Sequence, residues 1–445
     1  MDRYRLSNYN HFLKKKDRIV GVNLHKLILF SLDKENFNLL TSHSSILNTL
    51  EEKYPVLFST MLKLGVIEET SIDVSSIILM KNRQIIFSNS SYHLFINPTL
   101  NCNFSCWYCY ETHCKLKMDE NMINSVMKFI KNLIVFNKIS FLHIDWFGGE
   151  PLLCYESVIK PICIEVKSLC SLYNVKYIMS MTTNGYLLKT DMLQFFVEHN
   201  FVNFQITLDC CQQIHDSIRF YGKQKRKTFY TIVNNIIILA QLHSIYITLR
   251  VNYTKETILS SLDLVNIFPE NLRKKIKFMM SQIWQDKTSS NDIDKNYLLD
   301  KEFEIMNIFE GAGFKVFRIA NEVYKYHKCY ADLKNQAVIN YNGKIYKCTA
   351  LDFETTKEDG ILSENGEIIW NENVIAKRFK STFDNSYCLK CNFLPICSGR
   401  CSFHPHVINK EKGKCDYIKR NRKYISEKMN KFYYLNYKIC HLNQV

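Results

Sequence analysis

No stretch of the chain approaches the ~20 uninterrupted apolar residues that a membrane-spanning helix requires. The longest candidate, IIILAQLHSIYITLRV, is broken by Gln241, His243 and Arg250, so no membrane is expected as a partner. The N-terminus MDRYRLSNYNHF lacks a basic segment followed by an apolar one, and a cytoplasmic location is therefore expected. There is no internal repeat of fixed period and no low-complexity tract, which sets aside solenoids and disordered tails. Without an export signal, the 17 cysteines argue against a disulfide framework, because the cytosol keeps thiols reduced. Metal binding or catalysis is the use that remains.

What is present is a 445-residue chain with 47% apolar residues, enough for roughly three domains with sizeable cores. The formal charge of +15 counts every cysteine as neutral, and metal-bound thiolates would reduce it. Lys and Arg are scattered apart from the run KRNRKYISEKMNK, which reads as a solvated helix face and not as a nucleic-acid patch.

Residues 1–88 carry two strand-like runs, RIVGV and KLILFSL, followed by helical patterns near 33–41, 44–52 and 55–64. Strands followed by small helices predict a winged-helix-like α+β unit. From about residue 89 to 318 short apolar strands alternate with amphipathic helices: HLFINP, FLHIDWF, KYIMSMT, VNFQIT, YITLRVN and KFMMSQI are the strands. The helix ENMINSVMKFIKNLI places Met122, Val126, Phe129, Ile130 and Leu133 on one face. Six βα units predict an α/β fold, a curved parallel sheet forming a partial (β/α)6 barrel with its chemistry at the C-terminal strand edge. Residues 319–420 break into cysteine-bearing loops, with NYNGKIYKC as a hairpin turning at Asn342-Gly343, and order there calls for metal clusters. Residues 421–445 read as a C-terminal helix.

Directly after the first barrel strand, NPTLNCNFSCWYCYE sets Cys102, Cys106 and Cys109 in the spacing C-x-x-x-C-x-x-C. Three thiolates on a short loop can hold three corners of a [4Fe–4S] cubane and leave one iron open. A structural zinc site with a distant fourth ligand, or cysteines packed as small hydrophobes, are the alternatives; zinc loops more often use C-x-x-C pairs.

With Tyr108 before the last cysteine, this loop resembles the signature of the radical S-adenosylmethionine (SAM) enzymes. The resemblance implies that the open iron binds SAM, and that reduction of the cluster by an electron-donor protein cleaves SAM to a 5′-deoxyadenosyl radical. It extends to the strand ends. Gly148, Gly149 and Glu150 in WFGGEP look like the site for the SAM amino group. Thr183 and Asn184 in TTNG, and Thr207 and Asp209 in TLD, resemble segments lining the SAM pocket. Arg250 and Asn252 in LRVN resemble polar contacts to ribose or carboxylate.

Downstream, Cys329, Gly343 and Cys348 form C-x13-G-x4-C, followed by Cys388, Cys391, Cys397 and Cys401 as C-x2-C-x5-C-x3-C and then Cys415. This order resembles the iron–sulfur SPASM extension of peptide-modifying radical SAM enzymes, which holds two auxiliary clusters. By that resemblance Cys388, Cys391, Cys397 and Cys415 ligate one cluster, and Cys329, Cys348 and Cys401 hold the other, with an open iron or His327 at its fourth corner. Three [4Fe–4S] clusters are thus expected. The remaining cysteines, 114, 154, 163, 170, 210, 211 and 440, fit no ligand spacing, and Cys163 and Cys170 read as helix core; His404 and His406 receive no role.

The first 88 residues look similar to small winged-helix domains that bind leader peptides, where an extended peptide adds to an unpaired strand edge. A dimerisation or capping domain is the plainer alternative. The resemblance as a whole implies an oxidoreductase that modifies a ribosomally made precursor peptide, forming a thioether, a carbon–carbon crosslink or a related change. An anaerobic sulfatase-maturating enzyme is the second reading, supported by ITLDCCQQIHDSIR but opposed by Thr349, where those enzymes carry an acidic base. A basic zinc-stabilised nucleic-acid-binding protein is the third; it would leave the GGE and TNG elements as accidents. No catalytic base is assigned.

Overall fold

The computed structural model describes residues 3–42, 47–285, 292–317, 329–380, 386–397, 408–409, 414–434 and 436. The chain forms two compact units, one from residues 1–86, 319–329 and 376–445, the other from residues 87–318 and 330–375.

In the first unit β1 (Tyr4–Leu6) pairs antiparallel with β5 (Ile67–Glu69), while β2 (Asn10–Lys14), β3 (Arg18–Asn23) and β4 (Ile28–Asp33) form an antiparallel sheet. Helices Lys34–Ser42, Leu47–Lys53 and Pro55–Lys63 cover it, followed by Val74–Ile86. The two strands read from the sequence are β3 and β4. The strand β2 carries no hydrophobic alternation to announce it, and all of it is at least partly exposed. Gly21 lies opposite Phe30 in the β3–β4 register, and a Cβ there would come within 2.3 Å of the Phe30 ring. Leu40, Leu47, Leu50, Phe58 and Met61 close the core. The basic run from Lys419 to Lys431 lies on helix Asp416–Tyr433, which buries Tyr424, Ile425 and Met429 and leaves Arg422, Lys428 and Lys431 exposed.

The second unit is built on an eleven-stranded mixed sheet. Strands β6 (Ser91–Ile96), β7 (Phe141–Trp146), β8 (Lys176–Thr183), β9 (Phe201–Leu208), β10 (Tyr246–Tyr253) and β11 (Ile276–Gln282) run parallel in sequence order. At one edge β12 (Lys315–Val316) extends the parallel set; at the other β13 (Gln336–Ile339) pairs parallel with β6 and leads into antiparallel β14 (Lys344–Tyr346), β15 (Gly360–Leu362) and β16 (Ile368–Trp370). Among the described residues the two ends of the sheet do not pair, so the barrel is open. The expected hairpin is the β13–β14 turn, where Gly343 has φ +78° and its N–H bonds the Asn340 carbonyl at 2.9 Å.

Period-two alternation decides what faces inward. Tyr92, Leu94 and Ile96 of β6 and Leu142, Ile144 and Trp146 of β7 are buried, and Tyr92 meets Phe129 of helix Glu120–Val135 edge-on at 5.6 Å. That helix buries Val126, Phe129, Ile130 and Leu133 as expected, whereas Met122 is partly exposed near its start. Asp119 caps it, accepting the Met122 N–H at 2.8 Å. The opposite strand face is polar: His93, His143, Asp145, Ser180, Gln205, Thr207, Arg250 and Asn252 alternate with the apolar residues. Helices therefore supply the core, and the lumen is left for chemistry.

Between β8 and β9, Phe196 is fully buried against Phe201 and Phe204, with ring centroids 4.8 and 5.0 Å away. Phe196→Ala is expected to cost about 3–5 kcal/mol, read as a lowered denaturation midpoint together with faster amide exchange in β8 and β9.

Candidate active site

The cysteine loop leaves β6 at Asn97 and crosses the C-terminal ends of the neighbouring strands. Its path is fixed by the turn after β7. The Gly149 N–H donates to the Thr99 carbonyl at 3.2 Å and the Glu150 N–H to the Asn101 carbonyl at 2.8 Å. Gly148 has φ +99°, and a Cβ on it would lie 2.4 Å from the Thr99 oxygen; a Cβ on Gly149 would lie 2.4 Å from the Asn101 oxygen. The two glycines are thus required by the loop that presents the thiols, a demand made by backbone and not by a ligand.

Glu150 is fully buried below the pocket. One carboxylate oxygen accepts from the Leu152 N–H at 3.0 Å and the Thr183 hydroxyl at 2.8 Å, the other from the Asn184 N–H at 2.8 Å. Burial outweighs these bonds and pushes the carboxyl up to about 6. The side chain thereby ties together the ends of β7 and β8. Asn184, in turn, donates to Asn103 on the cysteine loop at 2.7 Å and approaches the Cys102 sulfur at 3.8 Å.

Cys102, Cys106 and Cys109 line one pocket together with Tyr108, Gly148, Gly149, Thr183, Asn184, Thr207, Arg250 and Asn252. Glu150 and Asp209 stand behind its wall. Burial raises all three thiols, Cys102 to about 12. A bound metal would displace those protons, since the ligand is the thiolate.

Below the loop lies a network that the sequence reading only half identified. The Tyr108 hydroxyl contacts Asp209, accepts from the Arg219 guanidinium at 3.0 Å and from the Asn252 amide at 3.1 Å, and Asn252 also reaches Asp209 at 3.2 Å. Arg219 approaches the Cys106 sulfur at 3.6 Å. Asp209, fully buried, is raised by desolvation and lowered by Arg219. His215 anchors the segment, accepting the Asp209 N–H at 3.2 Å and meeting the Thr228 hydroxyl at 3.1 Å. Arg219 was missed because it lies ten residues past TLD in IHDSIR, at the end of a short helix, where spacing gives no hint that the chain returns to the cysteine loop. Arg250 bonds Asn252 and Ser281, both at 3.0 Å.

Glu111, also unmarked in the sequence reading, lines the same pocket with one buried carboxylate oxygen that has no hydrogen-bond partner, and burial lifts its carboxyl to about 8. Around Cys348 the Thr349 carbonyl accepts from Tyr110 at 3.1 Å, and the Thr349 hydroxyl meets Tyr330 at 2.5 Å. The Asp352 carboxylate is committed to the Thr112 N–H at 3.1 Å, the Thr112 hydroxyl at 2.8 Å and the Thr355 hydroxyl at 3.0 Å.

In the other unit, the Cys391 N–H bonds the Cys388 carbonyl at 3.1 Å, and Cys397 ends the short helix Leu394–Cys397. Cys329, Cys388, Cys391 and Cys397 are partly exposed and Cys348 is buried. The Cys415 backbone pairs with Ile408, and its side chain lies outside what is described. Cys401, His327, His404, His406 and Cys440 lie outside the described residues. Cys163 and Cys170 are core, as expected.

An open parallel barrel with a three-cysteine loop at its mouth defines the radical SAM class of enzymes. Residues 96–265 match the Radical SAM superfamily family model, which marks the chain as an enzyme. The class implies a [4Fe–4S] cluster and SAM, and three soft thiolate donors lining one pocket suit such a cluster. Among solved structures, the fold is similar to histidine-tagged anSMEcpe with bound AdoMet, with a TM-score of 0.52 at 19% identity over 69% of this chain and 88% of that one. Native anSMEcpe with bound AdoMet and Cp18Cys peptide gives 0.53 at 18% identity, with the same coverage. Streptococcus suis SuiB bound to S-adenosylmethionine gives 0.48 at 15% identity over 89% of this chain and 95% of that one. No curated protein sequence matches. No described helix is long and apolar enough to cross a membrane.

Arg219→Met would strand the buried Asp209 carboxylate and is expected to destabilise the protein by about 3–5 kcal/mol. The double substitution Arg219→Met with Asp209→Asn should recover much of that loss. Chemical denaturation of the four proteins of the cycle measures the coupling.

Proposed function

We propose that this enzyme is a peptide maturase in which Cys102, Cys106 and Cys109 hold the SAM-binding cluster. The observation that carries the reading is the convergence of that loop with the ends of β7, β8, β9 and β10 on one pocket. When bound and reduced, the cluster with SAM supplies a 5′-deoxyadenosyl radical for hydrogen abstraction. The chain's own residues set the stage. Gly148 and Gly149 seat the loop, Asn184 braces it, Tyr108 and Arg219 support it from below, and Thr183, Thr207, Arg250 and Asn252 offer polar groups to SAM. Asp209 acts behind the wall by fixing Tyr108 and Asn252. Glu111 offers its free carboxylate oxygen to substrate or SAM.

Cys388, Cys391, Cys397 and Cys415 would hold one auxiliary cluster, and Cys329, Cys348 and Cys401 the other, giving the chain a SPASM extension over residues 319–420. A donor protein supplies the electron. The substrate is a ribosomally made precursor peptide whose leader docks on residues 1–88. The antiparallel sheet there supports this reading, since among the described residues β2 and β4 each pair on one side only, the geometry that strand addition uses. Its location is the cytoplasm.

The similarity to anSMEcpe with a bound peptide favours formylglycine formation as a second reading. Against it stands the neighbourhood of Cys348: Thr349 replaces the acidic base, and the Asp352 carboxylate is held by Thr112 and Thr355.

Anaerobically reconstituted protein should carry ~12 iron atoms per chain, four for each cubane. It should release 5′-deoxyadenosine on reduction, an activity lost in Cys102→Ala, Cys106→Ala or Cys109→Ala. Mass spectrometry after turnover should show a mass loss on the peptide encoded beside the enzyme and none on a sulfatase peptide. Formylglycine on the latter would decide for the second reading. Leader binding should slow amide exchange in 10–14 or 28–33.

A further inference from the structure

The lumen of the barrel holds a second constellation, partly exposed and unused by the chemistry above. His93 on β6 pairs directly with His143 on β7, and Asp145 follows His143 by two residues on the same face. The two imidazoles stack with centroids 4.3 Å apart and an interplanar angle of 7°. His93 Nε2 contacts an Asp145 carboxylate oxygen, and His143 Nε2 lies 3.5 Å from the same oxygen and 2.9 Å from the Ser180 hydroxyl. One donor atom from each of the three residues falls within 4.8 Å of the others.

We propose that His93, His143 and Asp145 bind a divalent cation, zinc, in the barrel lumen, separate from the cysteine-held iron. Two imidazoles and one carboxylate are the donor set that suits zinc, and three protein ligands leave a coordination position open. Tetrahedral zinc with bonds near 2.0–2.2 Å places its donors about 3.3 Å apart. The His143–Asp145 separation of 3.5 Å meets this as it stands. The His93–Asp145 contact is a hydrogen bond whose proton the metal would replace.

One further observation points to a ligand there. Gln336 of β13 is the cross-strand neighbour of His93 on the same sheet face, fully buried, and neither its amide nitrogen nor its amide oxygen has a hydrogen-bond partner. Buried amide groups are seldom left unpaired, and a metal-bound water could satisfy them. Phe95 and Tyr330 wall the site on the His93 side.

The test is metal analysis and zinc X-ray absorption on the full-length, anaerobically purified holoenzyme. About one zinc per chain, with a nitrogen and oxygen shell near 2.0–2.1 Å and imidazole outer-shell scattering, is the expected result. His93→Ala, His143→Ala and Asp145→Ala should each reduce zinc at least about tenfold while iron content stays at the wild-type level, which also shows that the variants fold. A sulfur shell near 2.3 Å would assign the zinc to cysteines and overturn the site. So would less than half an equivalent of zinc in the wild-type protein, or equal zinc in wild type and variants.

Discussion

The active end of this protein depends on how closely two stretches of backbone approach. The turn at Gly148-Gly149 lies flat on the carbonyls of Thr99, Leu100 and Asn101, near enough that any Cβ would enter their van der Waals shells. That contact joins the end of β7 to the loop bearing all three cysteines. Everything that positions the thiols follows from it. Glu150, next in the chain, turns inward and gathers the end of β8, and Asn184 at that end reaches back to Asn103 in the cysteine loop. A closed circuit of hydrogen bonds therefore runs from loop to β7 to β8 and back. A group held by that loop would be held rigidly, with little left to side-chain rotamers.

The electrostatics serve the same end. Three thiols and three carboxyl groups, those of Glu150, Asp209 and Glu111, lie in or around a poorly solvated pocket that holds them toward their protonated forms, and few cations oppose the charge they do carry. Arg219 does so from below, touching the Tyr108 hydroxyl and lying close to the Cys106 sulfur. A guanidinium suits this position because it stays charged when buried and divides its donors between partners. Its carrier segment is secured by a neutral, buried His215, so no second positive charge competes there.

The sequence disclosed the barrel strands because each alternates apolar residues toward helices with polar ones toward the lumen, and parallel sheets connected by helices allow few topologies. The cysteine loop and the strand-end segments were legible for the same reason: each follows directly on a strand. Roles were less legible than places. The Leu152 and Asn184 N–H groups and the Thr183 hydroxyl that donate to Glu150 are partners that no spacing rule could reveal. Arg219 and Glu111 were invisible because their importance arises from tertiary return, not from local pattern. The strand β2 escaped because both its faces are partly wet and its residues, NHFLK, do not alternate apolar with polar.

The polar lumen raises a question of energy. A small parallel barrel is usually filled with Val, Ile and Leu in stacked layers, and those layers add to the core. Here the layer at His93, His143 and Asp145 forgoes that contribution, so the barrel's stability must come from the outer face, where Leu94, Ile144, Trp146, Ile206 and Leu249 meet the helices. Polar groups at such depth are tolerated when they bond to one another or to something bound. Asp145 is satisfied by His93, and His143 by Ser180, whereas Gln336 beside them is not. The unpaired amide beside this otherwise reciprocal cluster is what the proposed cation and its water would satisfy, from the face that His93 and Asp145 share.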